Sequence, residues 1–444
     1  MDLYRFILIL ILLLTAKWVH ANEIQVNTLN DETDAAPGDG FCVTQSGQCS
    51  LRAAITEANH NGQDNFIVLP AGEIIIGIEG RGEEQNLTGD LDIYGLMHIV
   101  GESSQTIINT NGIDRLFDVH SGAELSLQNL LLTGAIDGST EQSYPHNLGS
   151  VLKIHPTAAV EMLQVDIKEN SSLNFSGSVI LQQGILTAEM VTFTDNLNSH
   201  VIWVDGPVTK LKTCLMTGHD RQLIQIEGLE DFGQHDLIEI ERCSLVENNS
   251  PNQVGVMFVG SMINNINIIN TTISQNESKT ALIVNDNASQ LLFKHSTIYN
   301  NHIKGDIQGN VVIQDIHGNA FAATYFSNTL IANNSGVAMQ MLGGGIRSLG
   351  GNYFGVISDG INQGIEPLAS DVVDAKEPVI LTDLIHFNQY SAVRMPLDDA
   401  AVIDIGIEAG CTETDQINQN RSQPFCDAGA IEWQSDLIFR NSFD

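Results

Sequence analysis

A short strand-and-turn pattern recurs through the middle of this 444-residue chain. Its copies, which include a weaker one at Leu215, recur about every 28 residues, and a fixed period of 20–50 residues is typical of one structural unit stacked on itself. Each copy combines aliphatic or β-branched residues with Asn, Gly or Asp, which predicts a short strand followed by a tight turn. The copies are Leu131-Leu132-Thr133-Gly134, Ile167-Lys168-Glu169-Asn170, Phe193-Thr194-Asp195-Asn196, Leu245-Val246-Glu247-Asn248, Ile273-Ser274-Gln275-Asn276, Ile298-Tyr299-Asn300-Asn301 and Leu330-Ile331-Ala332-Asn333.

The length and composition of this repeat favour an all-β fold, a single right-handed parallel β-helix. Each coil would supply two or three short strands that pair with their equivalents in the next coil, and aliphatic side chains would fill the interior. A β-propeller is the alternative, but it needs about 40–45 residues per repeat and antiparallel hairpins, whose Asn-Gly turns are not seen as a series. Asn side chains at equivalent turns are expected to stack as an amide ladder and to tolerate left-handed backbone. These are Asn248, Asn276, Asn301 and Asn333.

The charge of the chain limits its partners. It has 54 acidic and 19 basic residues, a net charge of −35 at pH 7. Nucleic acid is excluded as an expected partner because its phosphates need Lys and Arg for neutralisation, and direct adhesion to anionic lipid is disfavoured for the same reason. Such acidity serves solubility and self-repulsion, or it binds Ca²⁺ through oxygen ligands, although no EF-hand-like or Gly/Asp nonapeptide repeat is present. The sequence does not indicate an oligomeric state.

The N-terminus resembles a signal peptide over residues 1–21. A basic residue, Arg5, precedes an apolar run that is too short to span a bilayer, which takes about 20 residues. Val19 and Ala21 then suit the minus-three and minus-one positions of a cleavage site. No later segment is a transmembrane candidate, so we expect export to the outside of the cell or its outer surface.

Six cysteines fall into three pairs in the exported part, which predicts disulfides. Two of the pairs would close short loops near the two ends of the body. The third pair is about one repeat apart, so its sulfurs would touch on successive coils, either bridged or as a reduced stacked pair. The pairs are Cys42–Cys49, Cys214–Cys243 and Cys411–Cys426.

Open ends of a β-helix promote aggregation, and the chain is expected to cap them. The N-terminal cap is predicted over residues 22–72 and contains one helix that begins after the N-cap Ser50. Its apolar stripe of Leu51, Ile55 and Ala58 would cover the first coil. The coils would then occupy residues 73–400.

Both ends of the chain also resemble a known family. The N-terminal region is similar to that of the CSLREA-type exported bacterial β-helix proteins, and the C-terminal cap, 401–435, resembles the domain called choice-of-anchor Q; residues 436–444 are similar to a terminal tag of exported proteins. The resemblance implies a pectin-lyase-like fold, export and a cell-surface location, and it carries over no catalytic residue. The matching segments are Gly38-Asp39-Gly40-Phe41-Cys42, Cys49-Ser50-Leu51-Arg52-Ala53-Ala54-Ile55, Ile67-Val68-Leu69-Pro70-Ala71-Gly72, Thr414-Asp415-Gln416, Arg421 and Cys426-Asp427-Ala428-Gly429-Ala430-Ile431-Glu432.

A candidate groove follows from the scarce basic residues. Several of them lie close together in the sequence among acids and histidines, as the base and ligands of a polysaccharide-cleaving site would; solvated charges in ordinary ion pairs are the alternative. Trp203 could be a platform on which a sugar stacks or a ring that fills the core. The groove candidates are Lys210, Lys212, Arg221, Arg242, His219 and Asp220.

Three functional hypotheses remain. The first is a non-catalytic exported protein whose long acidic face binds glycans or surface proteins. The second is a polysaccharide lyase or hydrolase that acts on acidic glycans, in which paired acids would be needed for hydrolysis. The third is a structural component of the cell envelope.

Overall fold

A computed structural model describes most of the chain. The predicted leader, 1–21, and the terminal tag, 436–444, lie outside the described residues. None of the helices in the described part is long and apolar enough to cross a membrane. The structure describes residues 22–103, 105–137, 148–173, 177–227, 237–251, 254–260, 265–286, 290–304, 311–315, 323–335, 337–341, 345–355, 367–373, 379–422 and 424–434.

The described chain is built from short strands, one α-helix, α1 (Leu51–Asn61), and one 3₁₀ turn (Glu408–Gly410). The strands in chain order are β1 (Asn22–Gln25), β2 (Asp64–Leu69), β3 (Gly72–Ile75), β4 (Leu91–Ile93), β5 (Leu96–Gly101), β6 (Thr106–Asn109), β7 (Phe117–Val119), β8 (Glu124–Thr133), β9 (Ile136–Asp137), β10 (Leu152–Ile154), β11 (Ala159–Lys168), β12 (Ser171–Ser172), β13 (Gly177–Gln182), β14 (Ile185–Thr194), β15 (Ser199–Val204), β16 (Val208–Thr217), β17 (Ile224–Ile226), β18 (Leu237–Glu241), β19 (Ser244–Val246), β20 (Asn249–Ser250), β21 (Met257–Val259), β22 (Ile266–Ile269), β23 (Thr272–Ser274), β24 (Glu277–Ser278), β25 (Ala281–Asn285), β26 (Gln290–Lys294), β27 (Thr297–Tyr299), β28 (His302–Ile303), β29 (Val311–Asp315), β30 (Ala323–Ser327), β31 (Leu330–Ala332), β32 (Val337–Met341), β33 (Gly345–Ser348), β34 (Tyr353–Phe354), β35 (Val372–Val373), β36 (Ile385–Asn388) and β37 (Ser391–Val393).

These strands form a parallel β-helix, so the predicted fold class is confirmed. Sheet 1 contains 20 strands, and sheet 2 contains ten, in the order β4-β7-β10-β13-β15-β17-β21-β25-β29-β32. Each strand of sheet 2 pairs in parallel with the next one along the stack, as Phe117 does with Leu91 and Leu152. One hydrophobic core runs through the coils from Ile24 to Phe354. Ile273 lies in this core in register with Leu245 and Ile298, as the repeat predicted.

Residues with left-handed backbone bend each coil at equivalent places. One column of them divides sheet 1 into two faces and includes Asn129, Gln164, Met190, Thr213 and Arg242, with φ between 53° and 56°. A left-handed residue between two extended runs turns the chain without ending its pairing, because the strands continue in register on both sides. This bend is how a single sheet wraps two sides of the core.

A second turn carries the predicted amide ladder, with one shift of phase. Asn248, Asn276 and Asn301 are buried, and each donates a side-chain hydrogen bond to the Asn of the next coil. The prediction that Asn333 is the fourth member of the ladder is wrong. Asn333 takes the left-handed position, with φ 55°, and Asn334 accepts the hydrogen bond from Asn301 at 2.8 Å. In the earlier coils the left-handed residue directly precedes the ladder Asn, which is the relation that Asn333 has to Asn334.

Helix α1 caps the first coil as predicted. Ser50 Oγ accepts a hydrogen bond from Ala53 N at 3.1 Å, and the helix ends at Gly62 in left-handed backbone. Asn59 binds the otherwise free edge of sheet 2, since its amide donates to Asp92 O at 2.8 Å and accepts from Tyr94 N at 2.9 Å. The cap therefore fixes the strand β4 from which the candidate site begins.

The chain after residue 379 does not only cover the last coil; it runs back along the side of the β-helix. Ser244 Oγ donates to Ala392 O at 2.8 Å, Gln416 donates to Cys243 O at 2.9 Å, and Gly429 N donates to Asn328 O at 2.9 Å. The three predicted cysteine pairs are disulfides, including the pair one coil apart, and the bridges are Cys42–Cys49, Cys214–Cys243 and Cys411–Cys426.

Candidate functional site

The outer face of sheet 2 carries one continuous row of side chains in register. Successive residues of a strand point to opposite faces, so the central residue of each three-residue strand points outward between two core residues. The row changes in character along the stack, from charged at its N-terminal end to apolar and amide-bearing further on. Its members are Asp92, Asp118, Lys153, Leu181, Trp203, Gln225, Phe258 and Val284.

A second row of aromatic rings lies beside the charged end. Tyr94, His120 and His155 each follow directly after the strands β4, β7 and β10. The rings of Tyr94 and His120 stack with centroids 4.1 Å apart, and those of His120 and His155 with centroids 5.1 Å apart. The two rows together place imidazoles and carboxylates of three consecutive coils in one group.

We call this group, Asp92, Asp118, His120, Lys153 and His155, the charged cluster. His120 Nε2 lies 2.9 Å from Asp92 Oδ1, and His155 Nε2 lies 2.6 Å from Asp118 Oδ1. The other oxygen of Asp118 accepts from Lys153 Nζ at 3.2 Å. The cluster therefore contains two His–Asp pairs on adjacent coils, with an ammonium beside one of them.

Arg115 fixes the position of Asp118 in the cluster. Its Nη1 donates to Asp118 Oδ2 at 2.8 Å and lies 3.4 Å from Asp90 Oδ2, and its Nε donates to Gly149 O at 2.8 Å. A guanidinium with this many fixed acceptors sets the position of a carboxylate rather than reaching toward a ligand. The side chains of His120, Lys153 and His155 keep 15%, 15% and 25% of their surface exposed, so they are the members that solvent or a ligand can reach.

The environment pushes the pKa values of the two carboxylates apart. Burial raises the pKa of Asp92. Burial also acts to raise the pKa of Asp118, but the close contact with His155 and the charges of Arg115 and Lys153 outweigh it, and the pKa of Asp118 falls below its usual range. Carboxylates with separated pKa values are typical of acid–base sites.

The pKa of His120 is shifted in the opposite direction from that expected for a buried imidazole. Burial alone would lower it, but the hydrogen bond to Asp92 and the charges of Asp118 and Glu84 raise the pKa of His120 above its usual range. The shift favours the imidazolium form, so His120 is suited to donate a proton.

The cluster also has the donor atoms of a metal site. One ligand atom each from Asp118, His120 and His155 lies within 4.8 Å of the others, and the same holds for Glu84, Asp92 and His120. The ammonium of Lys153 and the guanidinium of Arg115 already neutralise Asp118, which disfavours a further cation there. A third group, His295 with Cys411 and Cys426, cannot ligate through thiolates because its cysteines form a disulfide. The proposed Ca²⁺ stays a prediction.

The predicted groove residues lie elsewhere. Lys210 and Lys212 are on β16 of sheet 1, where Lys212 Nζ lies 3.3 Å from Glu189 Oε1. Arg242 occupies the bend of sheet 1 and contacts Glu241 at 3.6 Å and Asn418 at 2.8 Å. Lys212 and Arg242 are held by ion pairs or hydrogen bonds, and Lys210 is exposed. All three lie on a different sheet from the charged cluster.

The other three groove candidates lie at the turn between the sheets. His219 is buried, with its ring nitrogens 3.0 Å from the carbonyl oxygens of Asn196 and Phe193, so it takes a position that Asn holds in the ladder of other coils. Asp220 accepts from Asn198 N at 2.7 Å. Arg221 lies near enough to His200 for its charge to lower the pKa of that imidazole. The six candidates thus lie on sheet 1 or at the turn that leads to sheet 2, and a shared groove stays a prediction.

Sequence reasoning missed the charged cluster although a signal for it exists. Three segments share one pattern, an apolar residue, a charged residue, an apolar residue and a ring: Leu91-Asp92-Ile93-Tyr94, Phe117-Asp118-Val119-His120 and Leu152-Lys153-Ile154-His155. The unequal spacing hides it, since the equivalent residues Asp92 and Asp118 are 26 positions apart whereas Asp118 and Lys153 are 35 apart. Trp203 is 5% exposed and packs on Leu148 and Leu181 in a small cluster that is separate from the main core.

Comparison of the sequence with protein-family models and with curated proteins gives no match. Among solved structures, the chain is similar to a pectate lyase, Pel9A (11% identity, TM-score 0.45, covering 94% of this chain and 98% of that one). It is also similar to the A-modules of two mannuronan C-5 epimerases of Azotobacter vinelandii. These are AlgE6 (15% identity, TM-score 0.39, covering 77% and 98%) and AlgE4 (16% identity, TM-score 0.34, covering 78% and 96%). At these values the similarity carries no weight for activity.

Proposed function

We propose that the chain binds an acidic polysaccharide along the outer face of sheet 2 and cleaves it by acid–base chemistry at the charged cluster, as a polysaccharide lyase. The observation that carries this proposal is the pair of His–Asp contacts on adjacent coils, with the ammonium of Lys153 beside one of them. Elimination from a uronate needs a base, an acid and a cation for the carboxylate, and the cluster holds a candidate for each.

In this proposal His155 is the base. The carboxylate of Asp118 beside its Nε2 favours the tautomer with the proton on that atom, which leaves the lone pair of Nδ1 to remove the C5 proton of a uronate. The electron pair of the broken C–H bond forms the C4–C5 double bond as the C4–O bond breaks. Lys153 neutralises the uronate carboxylate, whose charge grows as the proton leaves.

His120 is the acid. Its imidazolium, stabilised by Asp92, donates a proton to the departing oxygen, which keeps the electron pair of the broken C4–O bond. Since the pKa of His120 is raised, activity should be lost as the pH rises through that raised value. Asp92, Asp118 and Arg115 position the three reacting groups.

Hydrolysis fits the cluster less well. A hydrolase needs one carboxylic acid and one carboxylate that both face the substrate, whereas Asp118 is covered by Arg115, Lys153 and His155. Adhesion without catalysis is the second candidate, favoured by the length of the row, which spans eight coils from Asp92 to Val284. A protein of this kind would bind the same glycans and release no product.

Export to the cell surface is part of the proposal. Three disulfides with no free cysteine in the described residues support an oxidising compartment. The family resemblance of the two ends supports the same location, and membership of the CSLREA and choice-of-anchor Q families remains a proposal.

The test is incubation of the purified chain with polygalacturonate, alginate and hyaluronan, with and without Ca²⁺, while the ultraviolet absorbance of unsaturated uronates is followed. We expect product from wild type and at least a hundredfold slower formation by His120→Ala and Lys153→Met, the range for loss of one acid–base or charge-stabilising group.

Two controls test whether the loss is specific. His98 forms a similar pair with Asp64 at 3.1 Å and stacks on Phe66, but it lies on sheet 1. His98→Ala and Lys212→Met should therefore retain full activity. Absence of unsaturated product from every glycan would refute the lyase assignment, and new reducing ends without unsaturation would indicate hydrolysis instead.

A further inference from the structure

A pocket lies on the same row of side chains, beyond the charged cluster. It has a volume of about 400 Å³ and is open to solvent. Trp203 and Lys153 lie two coils apart on the row, and Gln225 lies one coil further. At a rise of about 4.8 Å per coil, Gln225 lies about 14 Å from Lys153 along the stack. The pocket is lined by His200, Trp203, Gln222, Gln225, Glu227, Val254, Phe258 and Thr280.

One side of the pocket is a chain of polar groups. Gln222 Nε2 donates to Gln225 Oε1 at 2.7 Å, and Gln225 Nε2 donates to Glu227 Oε2 at 2.9 Å. The carboxylate at the end of this chain polarises both amides. Amide and carboxylate groups fixed in this way can accept from and donate to sugar hydroxyls.

The coil after Gln225 contributes an apolar part of the lining. Phe258 and Val254 pack together against Ala281 and Val284, and Phe258 is half-buried. An aromatic ring beside fixed polar groups matches a pyranose, which has one apolar face and a rim of hydroxyls. Trp203 lines the pocket from the coil before Gln225 and donates through Nε1 to Glu227 O at 3.3 Å.

His200 supplies an unused ring nitrogen. Its side chain lines the pocket, it is 5% exposed, and its Nδ1 has no hydrogen-bond partner within the part of the chain that the structure describes. Burial lowers the pKa of His200 to about 4, so the ring is neutral at physiological pH. A buried nitrogen without a partner is costly, and a ligand hydroxyl that bonded to it would remove that cost.

The charges of the pocket differ from those of the cluster. No Lys or Arg is among the described residues that line it, and the carboxylate of Glu227 does line it. Arg221 is not part of the lining, although its charge acts on His200. A uronate carboxylate placed there would face the carboxylate of Glu227 with no Lys or Arg among the described lining residues, which is unfavourable. The pocket is therefore suited to an uncharged sugar, while the cluster is suited to a charged one.

We infer that this pocket is a subsite for a neutral or N-acetylated pyranose, and that the ligand of the outer face is a mixed glycan that contains both uronates and uncharged sugars. The inference rests on the proposed function for the uronate at the cluster. It adds a substrate class, because a homopolymer of uronates would place a carboxylate at Glu227.

The test is equilibrium binding, measured by calorimetry at low temperature with mass spectrometry to verify that the oligosaccharides stay intact. The probes are a hyaluronan hexasaccharide, in which glucuronate and N-acetylglucosamine alternate, and hexagalacturonate, which has only uronates. We expect wild type to bind the hyaluronan hexasaccharide about tenfold more tightly, as one or two hydrogen bonds allow.

Gln225→Leu should abolish that preference, since it breaks the polar chain at its centre. Gln314→Leu is the matched control, because Gln314 holds the equivalent position of the row three coils further on and does not line the pocket. Phe258→Leu, which removes the ring and keeps the apolar bulk, should weaken binding to the hyaluronan hexasaccharide and gives a second test if Gln225→Leu folds poorly.

Equal affinity for the two probes, or equal effects of Gln225→Leu and Gln314→Leu, would overturn the subsite. Product formation would be unaffected by that outcome, so the proposed lyase would survive it. Conversely, a preference that depends on Gln225 without any unsaturated product would support the subsite and refute the lyase.

Discussion

The buried ion pair between Arg52 and Asp31 should decide whether the N-terminal cap stays closed. The side chain of Arg52 is fully buried, donates to both oxygens of Asp31 at 2.7 and 3.0 Å, and also donates to Gly89 O at 2.8 Å and Asp90 O at 3.2 Å. Asp31 in turn accepts from the backbone of Gly77 at 2.9 Å. One guanidinium thus links α1, the segment before it and the first coil.

Arg52→Met keeps the apolar stem and removes the charge and its hydrogen bonds. Removing one partner of a buried pair costs about 3–5 kcal/mol, because the other charge stays buried without compensation. If the cap opens as a unit, amide exchange in residues 51–61 should accelerate by about 100- to 4,000-fold, since each 1.4 kcal/mol is a factor of ten. Hydrogen-exchange mass spectrometry of peptides from the cap and from the middle coils measures this directly.

Two further variants make the result specific. Arg81→Met removes a partly exposed guanidinium that lies 4.0 Å from Asp114, and it should cost less than about 1 kcal/mol. Arg52→Met combined with Asp31→Asn removes the uncompensated charge, so it should be less destabilised than the sum of the two single variants. Exchange in Arg52→Met as slow as in wild type would refute the role assigned to this pair.

Three other predictions concern stability. Cys42→Ser opens the short loop closed by Cys49 and should lower stability by about 2 kcal/mol; an unchanged melting curve would count against a capping role for that disulfide. Ile273→Asp buries an unpaired charge between two aliphatic neighbours and should lower the free energy of unfolding by several kcal/mol, whereas Ile273→Val should lower it by about 1 kcal/mol. A urea titration in which both variants unfold alike would disprove the inward position of Ile273 in its coil. Burial raises the pKa of Asp90 to about 7, an effect that Arg115 offsets only in part. The native state thus holds this proton more tightly than the unfolded chain, and wild-type stability should fall as pH rises from about 4 to about 7. Asp90→Asn should match wild type near pH 4 and exceed it above pH 7 in thermal melts, and equal melts at both pH values would contradict this.

Local features of the fold were predictable because short-range chemistry decides them. Ser50 accepts from Ala53 three residues later, and an N-cap of this kind depends only on neighbouring residues. The strand-and-turn repeat likewise identified the coils, since a stacked unit must bury the same positions each time. Where the chain shifted by one residue, at Asn333 and Asn334, composition could not decide which Asn is left-handed and which joins the ladder.

The candidate site was not predictable in the same way. Lys210 and Lys212 are close in sequence to Arg221, yet β16 places the two lysines on sheet 1, whereas Arg221 lies at the turn before β17. His120 and His155 are far apart in sequence, and they stack because β7 and β10 pair in register across a long connection. Sequence proximity is a poor guide to proximity on a β-helix, where neighbours across the stack are a whole coil apart in the chain.

The amino-acid sequence by itself determined that aliphatic strands stack, that their turns are made by Asn and Gly, and that a helix covers the first coil, because periodicity and capping are properties of short segments. Only the tertiary structure decided which outward side chains meet. Register between coils of unequal length brings Asp118, Lys153 and His155 together, and it also places the pocket at Gln225 on the same face. Pairing between coils depends on the whole stack, so no single repeat contains that information.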